Sequence, residues 1–135
     1  MLDLPDSLPR AVALAGLAIA FVGAGVMHFV KPRMFEAIVP PSLPSPRALV
    51  LISGAAEIAG GVGLLVAPVR VAAGIGLVLL LLAVFPANLY MARQPERFRQ
   101  LAPSWALWAR LPLQGVLIAV VAWASGAWPS GAWPW

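Results

Sequence analysis

Four long apolar runs, at about residues 10–30, 47–67, 70–92 and 105–125, limit what this chain can fold into more than any other feature. Each holds about the twenty residues a helix needs to cross the hydrocarbon core of a bilayer. A soluble helical core fails on surface, because 61% of the residues are hydrophobic and only 10% charged, too few charges to cover a domain of this size. The chain therefore reads as an all-α membrane protein, a single domain over residues 1–135 built as a four-transmembrane-helix bundle. Met1 to Arg10 reads as a short polar leader with Pro5 and Pro9 as breakers. The first run reads as a retained helix, since a cleaved signal peptide would have a basic start and a shorter apolar core. Cysteine is absent, which removes thiol and disulfide chemistry, and one histidine makes a metal site a poor expectation.

Proline and the basic residues mark the connections. Span two ends at Pro68, span three is interrupted by Pro86, and the first loop is too rich in proline to continue a helix. Lys31 to Pro40 lies over Gln94 to Pro103 at a constant offset of 63, which pairs Pro32 with Pro95, Phe35 with Phe98, Ile38 with Leu101 and Pro40 with Pro103; Arg47 then falls on Arg110. This pattern implies two parallel helical-hairpin repeats, with short interfacial helices after spans one and three. Trp105 and Trp108 at one end of span four, and Trp123 and Trp128 at the other, read as an aromatic belt before a Trp-Pro and Gly-Ala tail. Of the nine Lys and Arg residues, seven lie in the loops after spans one and three, and only Arg10 and Arg70 lie on the other side. Basic residues stay cytoplasmic, so both termini are expected outside. The net charge of +4 thus reads as topology and lipid-headgroup contact, and nucleic acid is not expected as a partner.

One acid breaks the apolar pattern. Glu57 sits within the glycine-rich stretch Ser53 to Leu65, and residues 48–67 hold no other charge. An ionisable side chain at such depth normally faces the bundle interior and has a partner. The topology gathers His28, Asn88, Tyr90, Arg110 and Gln114 in the cytoplasmic half, with Arg110 and Gln114 on one helical face at i and i+4. By helical rise Glu57 lies on the order of 15 Å deeper than Arg47. It would form the floor of a pocket whose mouth the other polar residues line. Each residue also has a structural reading. Glu57 could lock the bundle through Gln114, Asn88 or Tyr90, His28 could be hydrated at the interface, Asn88 could satisfy carbonyls freed by Pro86, and Arg110 could reach to headgroups.

The ordered motifs Gly25-Val-Met-His28-Phe-Val-Lys-Pro32, Pro40-Pro-Ser-Leu-Pro44, Ser53-Gly-Ala-Ala-Glu57-Ile-Ala-Gly60-Gly61, Phe85-Pro-Ala-Asn88-Leu-Tyr-Met-Ala92 and Arg110-Leu-Pro-Leu-Gln114 resemble the DoxX-like family of small four-helix membrane proteins. The resemblance covers nearly the whole chain. It implies a four-helix bundle in the bacterial inner membrane, with family roles spread over quinone-coupled sulfur oxidation, methylamine utilisation and redox stress; the nicotinic receptor chaperone family is similar. Cysteine pairs used by some relatives are missing, so dithiol chemistry is not carried over. The first functional expectation is a pocket of Glu57, His28, Asn88, Tyr90, Arg110 and Gln114 for a lipophilic small molecule such as a quinone or lipid, serving a membrane redox partner. The second is a non-enzymatic assembly factor for client membrane proteins, acting through small residues at Gly16, Gly23 and Gly60. A lipid isomerase using the carboxylate and imidazole is a third. Membrane lipids are expected contacts, and a homo-oligomer stays open.

Overall fold

Proline and glycine set the helix ends. In the computed structural model, which describes residues 4–5 and 7–128, α1 spans Leu8–Val30, α2 Pro32–Glu36, α3 Pro46–Leu64, α4 Arg70–Arg93 and α5 Ser104–Ser125, with a 3-10 turn at Ala67–Val69. Pro9 falls in the first turn of α1, where its missing N–H costs nothing, so it starts that helix and does not break it. Pro32 and Pro46 open α2 and α3 in the same way. Lys31, the residue before Pro32, leaves helical geometry at φ −130° and ends α1. Gly126 takes a left-handed φ of 83° just past α5, the conformation glycine adopts without penalty. The Trp-Pro and Gly-Ala tail after Trp128 lies outside the described residues, as do Asp3 and Asp6 of the leader.

Four of these helical segments are long and apolar enough to cross a membrane. Between 22% and 33% of each apolar window is buried inside the bundle, so most of its apolar surface faces outward. Ile19, Leu79 and Val116 are among the large residues on that outer surface. Lipid is the solvent that such a surface fits. Trp105 and Trp123, both exposed on α5, stand about 27 Å apart by helical rise, close to the thickness of a bilayer core.

Packing follows the chain order. α1 lies along α3, α4 along α5, and α3 against α4 joins the two pairs. At one end Leu14, Leu17, Phe21, Leu64, Leu77, Leu81, Val121 and Ala124 form a closed core. At the other end a smaller core of Met91, Ala92, Phe98 and Leu107 ties the α4–α5 connection down. α1 and α3 approach most closely at two glycines: a Cβ on Gly25 would stand 2.6 Å from the Gly54 carbonyl oxygen, and one on Gly54 would stand 2.6 Å from the His28 Cβ. The third glycine expected on an outer face, Gly60, is instead turned inward against Leu77. Gly16 and Gly23 have open space around them.

Three expectations about the connections need correction. Span two stops at Leu64, short of residue 67. Pro68 has no N–H to give the Leu64 carbonyl, and Arg70 Nε takes that acceptor at 2.7 Å. The segment after α4 is a series of turns over residues 95–101 and not a short helix like α2. α2 is tied to α3 by two bonds from Arg47 to the Glu36 carboxylate, at 2.9 and 3.1 Å. At the offset of 63 those positions are Arg99 and Arg110, two cations that cannot pair, while Phe98 is drawn into the core at 3% exposure. The third correction concerns depth. α1 ends at the level of Gly54 and Glu57, midway along α3, because α2 continues beside the start of α3. His28 therefore stands beside Glu57 and not above it.

Candidate functional site

The bundle opens between the two cores. A cavity of about 620 Å³ lies among α3, α4, α5 and the loop that follows α2, with His28 at the end of α1 contributing to its wall. Its surface is mainly aliphatic, from residues such as Ile52, Val84, Leu113 and Leu117, with Phe35, Ile38 and Leu43 on the loop side. The polar atoms come from Glu57, His28, Ser53, Asn88, Gln114 and Arg110. Arg110 is exposed, whereas Gln114 and His28 are buried.

Pro86 lies inside α4 and leaves the Leu82 carbonyl without its usual helical donor; the two amides near it bond to other partners. Gln114 Nε2 donates to the Leu81 carbonyl, and Asn88 Nδ2 donates to Gln114 Oε1. The two amides thereby hold α4 and α5 together. Neither reaches Glu57.

Glu57 is left with His28. His28 Nδ1 is 2.7 Å from the Ala24 carbonyl oxygen one turn back and 3.2 Å from Glu57 Oε2. A ring nitrogen that close to a carbonyl carries the proton, and the N–H is directed at Ala24. Glu57 Oε2 is consequently enclosed beside the ring yet receives no hydrogen bond. The carboxylate side chain keeps 16% of its surface exposed, and it belongs to the cavity wall. Phe35 stacks on the imidazole at 3.8 Å between centroids and 20° between planes, fixing the ring from the loop side. Phe35 is held there by α2, whose Glu36 is anchored on Arg47; that hydrogen bond holds the Glu36 carboxyl below its usual range.

Five of the six residues expected at the site line this cavity: Glu57, His28, Asn88, Arg110 and Gln114. Tyr90 does not. Two positions after Asn88 on the same helix, it points about 200° away, and its ring packs edge-on to Phe98 at 5.8 Å. Phe35 is a site residue that the sequence reading does not include: it reaches the imidazole only because the chain breaks at Lys31 and α2 folds back beside α3, which no spacing in the sequence shows. Among the described residues no group of three or more His, Cys, Asp or Glu side chains could hold a metal ion.

Residues 17–125 match the domain of unknown function DUF8561. The chain belongs to this family. The matched DUF8561 segment runs from the first turns of α1 to the end of α5 and so includes every cavity residue named above. No curated protein and no solved structure matches the chain.

Proposed function

We propose that this DUF8561 protein binds a lipophilic small molecule, such as a quinone, in the cavity beside Glu57, as an accessory subunit of a redox system in the bacterial inner membrane. One observation carries the reading: a mainly aliphatic cavity of about 620 Å³ presents a carboxylate to which no described residue donates a hydrogen bond. A buried polar group without a partner is costly, and a ligand that supplies the partner recovers that cost on binding. The DoxX-like resemblance supports the same reading. Two parallel hairpin copies are supported by the pairing of α1 with α3 and α4 with α5.

In this reading the cavity opens toward the basic side of the bundle, since Arg110 is in its wall, and that side is assigned to the cytoplasm. Lys31, Arg33, Arg47, Arg93, Arg97, Arg99 and Arg110 are all exposed there. Arg10 and Arg70 on the opposite side instead give their Nε hydrogens to the Ala124 and Leu64 carbonyls, at 2.8 and 2.7 Å. They act as caps for the C-terminal ends of α5 and α3, and so count little against the charge rule.

The test fills the cavity. Ala56 is an exposed wall residue next to Glu57, so Ala56→Trp occupies the space with little effect on the core. Lipid-soluble compounds extracted from the purified parent and variant are compared by mass spectrometry. Loss of one compound from the variant is the expected result. Identical extracts from two equally folded proteins would overturn the reading. A second reading, an assembly factor for client helices, is favoured by Gly16 and Gly23, which stand open on one side of α1. It expects Gly23→Leu to abolish function in cells and Ala56→Trp to leave it intact.

A further inference from the structure

Resting on the ligand-binding reading above, we infer that the occupant of the cavity meets Glu57 with a hydroxyl group, as a hydroquinone or a long-chain alcohol does, and not with a carbonyl or an amine. Near Glu57 each side-chain donor of the wall gives a hydrogen elsewhere in the protein: His28 Nδ1 to Ala24 at 2.7 Å, Ser53 Oγ to the Val50 carbonyl at 3.0 Å, Gln114 Nε2 to Leu81 and Asn88 Nδ2 to Gln114; the two amides each keep a second N–H and Arg110 lies at the exposed rim, but none of these is bonded to the carboxylate. Glu57 receives none of them. Its Oε2 is enclosed without a partner, and Oε1 is neither enclosed nor hydrogen-bonded.

The chemistry of the ligand follows from what a carboxyl group can do in each protonation state. Ionised, it only accepts, and a carbonyl compound offers it nothing. Protonated, it has one O–H to donate and an oxygen to accept with, and a protonated amine can no longer pair with its charge. A hydroxyl both donates and accepts, so it is matched in either state. The rim adds a second selection. Arg110 is exposed at the cavity wall, and Lys31, Arg33 and Arg47 are exposed on the same side. A cationic amine bound at the wall would stand among these like charges and be disfavoured by them, whereas a neutral hydroxyl compound is indifferent to them. The aliphatic wall takes the hydrocarbon body.

The experiment uses the full chain in lipid nanodiscs and three decyl-chain probes: a decyl hydroquinone kept anaerobic, the matching decyl quinone, and decylamine. Binding is measured by equilibrium dialysis at about pH 3 and about pH 9, below and above the ordinary carboxyl value of about 4.3. The hydroquinone is expected to bind about fivefold or more tighter than either competitor, the worth of one hydrogen bond, and to change little between the two pH values. Glu57→Leu should abolish the preference while leaving residual binding of all three probes. Glu57→Gln, which can donate and accept, should retain hydroquinone binding and raise quinone binding. Tighter binding of the quinone or the amine by the parent, or a hydroxyl preference that survives Glu57→Leu, would overturn the inference and leave the cavity reading standing. If none of the probes binds while Ala56→Trp still strips a native compound, the hydroxyl class is wrong. If Ala56→Trp strips nothing, the binding reading itself fails.

Discussion

Substituting Gly54 by alanine tests the link between helix packing and the site. The new Cβ would stand 2.6 Å from the His28 Cβ and 3.0 Å from the Gly25 carbonyl oxygen. Carbon atoms in contact sit about 3.5–4.0 Å apart, so α1 and α3 must separate by roughly 1 Å. Neither neighbour can rotate away, because one is a backbone atom and the other is fixed directly to the backbone. Overpacking of this kind costs about 1–3 kcal/mol. Replacing a helical glycine by alanine returns about 0.5–1 kcal/mol of backbone entropy. Gly16→Ala supplies the control, since a Cβ there has nothing within 4 Å. The difference in stability between the two variants cancels the entropy gain and should be about 1–3 kcal/mol in favour of Gly16→Ala. Chemical denaturation in mixed micelles reads the difference, and nitrogen NMR of the single histidine reads the site directly. The His28 signal is expected to move in Gly54→Ala and to stay in Gly16→Ala. Equal stabilities with an unmoved histidine signal in both would refute the claim that glycine contact sets the place of His28 against Glu57.

Arg70→Ala should destabilise the protein by about 1–3 kcal/mol in the same denaturation assay, because the Leu64 carbonyl loses the donor that replaces the missing N–H of Pro68. Gln114→Leu strips partners from both Asn88 and the Leu81 carbonyl; a cost of about 1–3 kcal/mol is expected, and the double variant with Asn88→Leu should cost less than the sum of the two singles. Glu36 has a carboxyl lowered from 4.5 by the Arg47 hydrogen bond, so the α2 anchor is complete above that value and is lost as pH falls through the lower folded one. Tethering should therefore fail in acid and in Glu36→Gln at neutral pH. Faster limited proteolysis at Arg33 of Glu36→Gln reads the second case, and broadening of the His28 ring signals in acid reads the first.

Much of the fold was legible because a bilayer constrains length and charge so tightly. The expected spans agree with α1, α4 and α5 to within two residues at each end, and the larger error at Leu64 traces to one missing N–H in Pro68. The repeat at an offset of 63 was a weaker guide. It matched Phe35 with Phe98, yet one lies over an imidazole and the other is buried between α4 and α5, because their flanking charges differ. Depth was not legible. Counting residues from the end of each span assumes that all spans begin in one plane, and α1 ends early with α2 carrying the chain onward beside α3.

The pairing of the polar residues was the other hidden quantity, and the proposed function rests on it. In sequence, Gln114, Asn88 and Tyr90 are equivalent partners for Glu57. The structure breaks that equivalence: Gln114 donates to the Leu81 carbonyl, Asn88 donates to Gln114, and Tyr90 is carried to the far side of α4, where it packs on Phe98. His28 is close enough to pair but has already given its proton to the backbone of its own helix. Each polar side chain is thus accounted for by a local cause, except the carboxylate. A bundle held together by Glu57 would have spent one of these donors on it. That none is spent there makes the acid a poor structural element, and the proposed ligand is what would supply the partner that the described residues do not.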